Sequence, residues 1–223
     1  GSLSRETVWP IVLGLMTGVI LLKFGNPVIL NDLVARPAFL GEWLIASWPT
    51  ELGFALVGLL ALVALPVVRV RPVPPRFWIA VPLCWVAWQC LSAAQTIDPS
   101  LTGITLIHFI AATVMFFIGC LALRNEYAIR PFAAAVLAAF VYMLWRGLQQ
   151  HFGELEATRE FVKSQPDWQS YPPEYLKKIE SDRIFATMVY PNAFAGAILV
   201  WTPLQLHLVW RWAERWGNIG RGV

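Results

Sequence analysis

Residues 101–123 read LTGITLIHFIAATVMFFIGCLAL, and no Asp, Glu, Lys or Arg interrupts them. A helix needs about 20 predominantly apolar residues to cross a hydrocarbon core, and this run meets that length. It lacks the strict alternation of a barrel strand. In lipid only a closed barrel or a helix satisfies its own backbone, so a transmembrane helix is expected. Similar runs occur at about 8–22, 52–68, 77–94, 131–148 and 191–210. The expected fold is therefore an all-α, polytopic transmembrane bundle of about six spans.

Composition agrees. Of 223 residues, 57% are hydrophobic and 14% charged, with 12 tryptophans, whereas about 25% of residues are charged in an average soluble domain. The formal charge of +3 gives no basis for a nucleic-acid partner. Cys84, Cys90 and Cys120 lie within apolar runs and read as small buried hydrophobes rather than a disulfide or metal framework.

Basic residues orient the spans. Arg69, Arg71 and Arg76 separate the second and third, Arg124 and Arg130 the fourth and fifth, and Arg211, Arg215 and Arg221 follow the sixth. Arg5 precedes the first, while the loop QTIDPSLTG carries only Asp98. Cytoplasmic loops collect Lys and Arg, so both termini are expected in the cytoplasm. The organisation is then spans one to five within 1–148, a loop on the outer side over 149–186, and the sixth span with a cytoplasmic tail over 187–223. Within the first part, 24–50 is too interrupted by Asp32, Arg36 and Glu42 to span. It is expected in the interface, with Trp43 and Trp48 at headgroup depth.

The outer loop QQHFGELEATREFVKSQPDWQSYPPEYLKKIESDR is long enough to expect a role. ELEATREFVKS has helical character, SQPDWQSYPPEY reads as irregular, and PPEYLKKIES as a short helix opened by proline. No phosphate-cradling glycine loop, histidine pair at metal-ligand spacing or Gly-x-Ser-x-Gly elbow is present, and no cofactor or metal is expected. His108 and His207 fall in spans and read as hydrogen-bonded packing residues; His151 is expected in water.

Arg146 and Arg183 bracket the loop. Each is either a snorkelling boundary arginine or, with the other, one side of a shared cavity for a phosphate-bearing lipid headgroup, since a planar guanidinium fork matches phosphate. In the segment RIFATMVYPNAFAG, Pro191 suits a first helical turn, and Asn192 is expected to satisfy amides there. Ala193, Ala195, Gly196 and Ala197 would admit a close neighbour helix. Tyr190 reads as an interface anchor or a carrier contact, and Thr187 as a local backbone donor.

The pattern Arg-Ile-Phe-Ala-Thr-x-x-Tyr-Pro-Asn-x-x-Ala-Gly, residues 183–196, resembles the segment that opens a span in the O-antigen ligase and polymerase superfamily. Upstream, Trp145-Arg146-Gly147-Leu148-Gln149-Gln150 is similar to the Tyr-Gly-x-x-Gln sequence that ends the preceding span in many members. The resemblance covers about residues 140–205. It implies an inner-membrane, inverting, metal-independent glycosyltransferase of polysaccharide biosynthesis, taking glycan from an undecaprenyl-diphosphate carrier on the periplasmic side. Acceptors in the superfamily include the lipid A core of lipopolysaccharide, a growing polysaccharide and a protein hydroxyl. Diphosphate binding would fall to Arg183, with Arg146, Tyr190 and Asn192 as further substrate-binding candidates. The superfamily's second periplasmic loop and its catalytic histidine would lie beyond Val223. The sequence is thus expected to match an N-terminal half, whose partners are membrane lipids, the carrier-linked glycan and a C-terminal half or other membrane subunits. No catalytic residue is assigned. A non-enzymatic membrane subunit that packs on partner proteins or lipids is the alternative.

Overall fold

A computed structural model describes residues 5–25, 37–64, 75–171, 173–188 and 190–219. Asp32, Arg36, Arg69, Arg71 and Arg221 lie outside the described residues, as do the side chains of Arg5 and Arg215. All regular structure among the described residues is helical. The helices are α1 (Arg5–Lys23), α2 (Leu40–Ile45), α3 (Thr50–Ala64), α4 (Arg76–Ala93), α5 (Pro99–Ala122), α6 (Glu126–Gln149), α7 (Leu155–Ser164), α8 (Pro173–Glu180) and α9 (Pro191–Ile219).

Among the described residues, three helical stretches are long and apolar enough to cross a membrane, Pro99–Ala122, Glu126–Ser164 and Pro191–Glu214, which suggests a membrane protein. Val8–Lys23 and Thr50–Ala64 are apolar but shorter. The described part of α3 has 15 residues, about 22 Å of rise against a hydrocarbon core of about 30 Å. The fourth helix has 18 residues but holds Arg76, Pro82 and Gln89. A helix thus forms within every expected span, while strong span character is confined to three stretches among the described residues.

Local chemistry sets the helix starts. Before α5, Asp98 accepts from the backbone N–H groups of Ser100 at 3.0 Å and Leu101 at 3.2 Å, and Pro99 takes the first turn. The Ser100 hydroxyl and then the Leu101 N–H hold this carboxyl below its ordinary range. Asn125 caps α6 by accepting from Ala128 N at 2.9 Å. Both are preferred cap residues because a short side-chain oxygen reaches an otherwise unpaired amide.

The sixth helix is the axis of the bundle. Phe132, Val136, Phe140 and Met143 lie on one face of it and are buried against Leu13 and Leu21 of α1, among others. Contact is close because Gly14 and Gly18 face α6: a Cβ on Gly14 would fall 2.6 Å from the Phe132 carbonyl oxygen and 2.7 Å from the Ala135 Cβ, and one on Gly18 3.0 Å from the Ala139 Cβ. Small residues four apart on both helices allow such an approach. Residue numbers rise together along this seam, so α1 and α6 run parallel. In contrast, α9 is antiparallel to α6, since Phe194 meets Gly147 while Gln205 Nε2 donates to the Ala133 carbonyl at 3.4 Å and Arg211 lies 3.6 Å from Glu126.

The small residues of α9 are not used as expected. Ala193 and Ala195 are exposed, and nothing lies within 4 Å of a Cβ added at Gly196; only Ala197 packs on the core. The glycine that matters is Gly147, where an added Cβ would come within 2.8 Å of the Phe194 ring. Of the span histidines, His108 packs by aromatic contact, edge-on to Phe54 of α3 at 6.4 Å. His207 lies within electrostatic reach of Glu126, at a charged end of the bundle rather than mid-span.

After α6 the chain breaks. A π turn over Gln150–Glu154 contains Phe152 (φ −95°, ψ 25°) and Gly153 (φ 125°), and the positive φ suits glycine because residues with a side chain rarely adopt that backbone conformation. Beyond it come α7, a 3-10 turn at Trp168–Ser170, and α8. Part of the expected interfacial segment is described. Trp48 packs edge-on to Trp43 at 5.3 Å and to Phe24 at 5.8 Å, and Lys23 Nζ donates to the Ala46 carbonyl at 3.2 Å.

Candidate functional site

The segment entering α9 is tied to the C-terminal end of α6 by one buried side chain. Gln150 Oε1 accepts from Phe185 N at 3.1 Å and Ala186 N at 2.8 Å, while its Nε2 donates to the Ala186 carbonyl at 3.2 Å. All these groups belong to a turn closed by Met188 N donating to the Phe185 carbonyl at 2.8 Å. Ala186 is buried with φ of 50°, a conformation that costs a non-glycine residue on the order of 1 kcal/mol or more and needs surrounding bonds to persist.

Thr187 supplies the second tie. Its Oγ1 donates to the Leu21 carbonyl of α1 at 2.9 Å, so it pairs far along the chain instead of with its own neighbours. Here the backbones nearly touch: a Cβ on Gly25 would sit 2.2 Å from the Thr187 carbonyl oxygen and 2.8 Å from the Met188 Cα. Sequence reasoning assigned no such role to Gln150, Gly25 or Thr187. The available signal was the Gly147-x-x-Gln150 spacing, which marked the place without its partner.

On this fixed segment Arg183 is exposed, and its Nη2 donates to Asn192 Oδ1 at 2.8 Å. Asn192 therefore serves the guanidinium and not the helix amides. The helix start is served by the Tyr190 carbonyl, which accepts from Ala193 N at 3.0 Å and Phe194 N at 3.2 Å. The Tyr190 side chain is exposed. Three of the four candidate residues are thus grouped at the entry to α9.

Arg146 belongs to a different network. Its Nη1 donates to Gln149 Oε1 at 3.0 Å and its Nη2 to Glu154 Oε1 at 2.6 Å. The π turn folds Glu154 back onto it, and the other Glu154 oxygen is buried without a hydrogen-bond partner among the described residues. His151 is exposed beside the Phe152 ring, 4.9 Å away.

Charge distinguishes the two arginines. Arg130 pairs with Glu126, Arg146 with Glu154, Arg159 with Glu156 and Asp182, and Arg211 with Glu126 and Glu214. Arg183 makes no ion pair among the described residues, its side-chain partner being the neutral Asn192. A guanidinium has five N–H donors, so several here remain for an anion, and bidentate bonds to phosphate oxygens are the strong use of that fork. A separate cleft of about 270 Å³ lies between α4 and α5, lined by Gln89, Ser92, Thr96, Thr102, Thr105 and Phe109 among others, and includes none of these residues. No group of three or more potential metal ligands occurs among the described residues.

No family model, curated protein or solved structure matches the chain.

Proposed function

We propose that this chain is an O-antigen ligase-like protein of the bacterial inner membrane that binds an undecaprenyl-diphosphate-linked glycan on the periplasmic side. The carrying observation is the state of Arg183: exposed, next to a turn fixed through the Gln150 and Thr187 ties, and with a neutral amide as its only side-chain partner among the described residues. Fixed positive charge is what a departing diphosphate requires, because preorganised donors stabilise charge that develops in the reaction. Asn192 orients the guanidinium, and Tyr190 flanks it as a contact for the carrier. Arg146, neutralised by Glu154, stays outside this clamp. The resemblance of 183–196 to a span opening in that superfamily supports the same ligand.

The proposed topology has six spans formed by α1, α3, α4, α5, α6 and α9, with both termini cytoplasmic. The parallel run of α1 with α6 and the antiparallel run of α9 support it, since first and fifth spans share a direction and the sixth opposes them.

A second reading has its own observation. No residue of α4 is buried, and in α5 only Ile118 is, so this side of the bundle is open to lipid or to a partner subunit. A photoreactive polyprenyl-diphosphate probe in nanodiscs separates the two. The ligase-like reading expects crosslinks within 181–194 that unlabelled undecaprenyl diphosphate displaces. Crosslinks along α4 that no competitor displaces would leave the packing-subunit reading.

A further inference from the structure

Asp182 stands next to Arg183 in the chain, so its carboxylate is the chain-adjacent anion that could compete for the proposed ligand arginine. It is held elsewhere. Asp182 Oδ1 accepts from Arg159 Nη2 at 2.5 Å, although the Asp182 side chain is 92% exposed and Arg159 only 17%. Arg159 does not depend on Asp182 for its own placement. Its Nε donates to the Ile179 carbonyl of α8 at 2.8 Å and its Nη1 to Glu156 Oε2 of α7 at 2.8 Å, so two helices fix the guanidinium before Asp182 is counted. The carboxylate, by contrast, meets no other charged partner among the described residues and is free to swing once that cation is removed.

We infer that Arg159 is a positioning residue that holds the Asp182 carboxylate away from Arg183, leaving the Arg183 guanidinium available to a diphosphate. The inference rests on the proposed function and adds its regulation by a residue that never touches the ligand. It also gives α7 and α8 a purpose: together they present one cation to the carboxylate that precedes Arg183.

The test measures binding of a fluorescent undecaprenyl-diphosphate analogue to the full chain in nanodiscs at low salt. Arg159→Ala is expected to weaken binding about three- to fivefold, the scale of an exposed ion pair. Asp182→Asn alone should bind as the wild type does, and Arg159→Ala/Asp182→Asn should recover wild-type affinity, because the competing charge is gone. A role limited to packing the hairpin predicts no recovery, so a double variant as weak as Arg159→Ala overturns the inference. So does an Arg159→Ala variant with unchanged affinity while Arg183→Ala binds weakly. Wild-type affinity in Arg183→Ala would overturn the diphosphate reading itself and the inference with it.

Discussion

Replacing Gln150 by leucine is expected to lower stability by roughly 3 kcal/mol and to release the segment that carries Arg183, because three backbone groups lose their partner at once and each buried unsatisfied group costs about 1–3 kcal/mol. Those groups are the Phe185 N–H, the Ala186 N–H and the Ala186 carbonyl. The sum is not fully additive, since the freed turn relaxes toward water and Ala186 escapes its left-handed conformation. That relaxation would free the segment that carries Arg183. Gln150→Glu keeps the acceptor oxygen but sets a second carboxylate oxygen against the buried Ala186 carbonyl, so it too should destabilise, through repulsion and an unpaired buried charge. Thermal unfolding of the detergent-solubilised protein, with limited proteolysis over 181–188, reads both effects. Equal stability of Gln150→Leu and wild type would show that the turn holds without the glutamine.

Gly14→Val is expected to push α1 from α6. A single Cβ already falls 2.6 Å from the Phe132 carbonyl oxygen, a backbone atom that cannot rotate aside, and two more methyl groups deepen the clash. Overpacking of a tight interior typically costs about 1–3 kcal/mol, and a membrane seam of small residues has little slack to absorb it. The effect reaches the site as well, because α1 supplies the Leu21 carbonyl that accepts from Thr187. Gly196→Val is the control: the space around that position is open within 4 Å, so its thermal transition should stay near that of wild type. Comparable losses in both variants would point to helix propensity rather than to the seam.

Much of the helical plan was legible because it rests on local chemistry. Runs such as 101–123 are apolar throughout, Asp98 and Asn125 stand where a cap is needed, and Pro173 and Pro191 open α8 and α9. What escaped was set by partners distant in sequence. Gly14 and Gly18 show a four-residue spacing on their face, yet nothing local says that Phe132, Ala135 and Ala139 fill it. Thr187 looked like a donor to its own turn, and its acceptor is Leu21 at the other end of the chain. The pairing of Arg146 with Glu154 depends on a π turn whose bend at Gly153 brings the carboxylate back. The two arginines that bracket the loop over 149–186 look alike as letters; the difference between them is one carboxylate.

That difference is the central claim, and it is most directly tested by the affinity of the intact protein, in nanodiscs, for an undecaprenyl-diphosphate analogue with Arg183 or Arg146 replaced by alanine. The account predicts a loss of about tenfold or more for Arg183→Ala, the scale of a charge-assisted bond to phosphate, and a small change for Arg146→Ala. Unchanged affinity in Arg183→Ala, or a larger loss in Arg146→Ala, would contradict it.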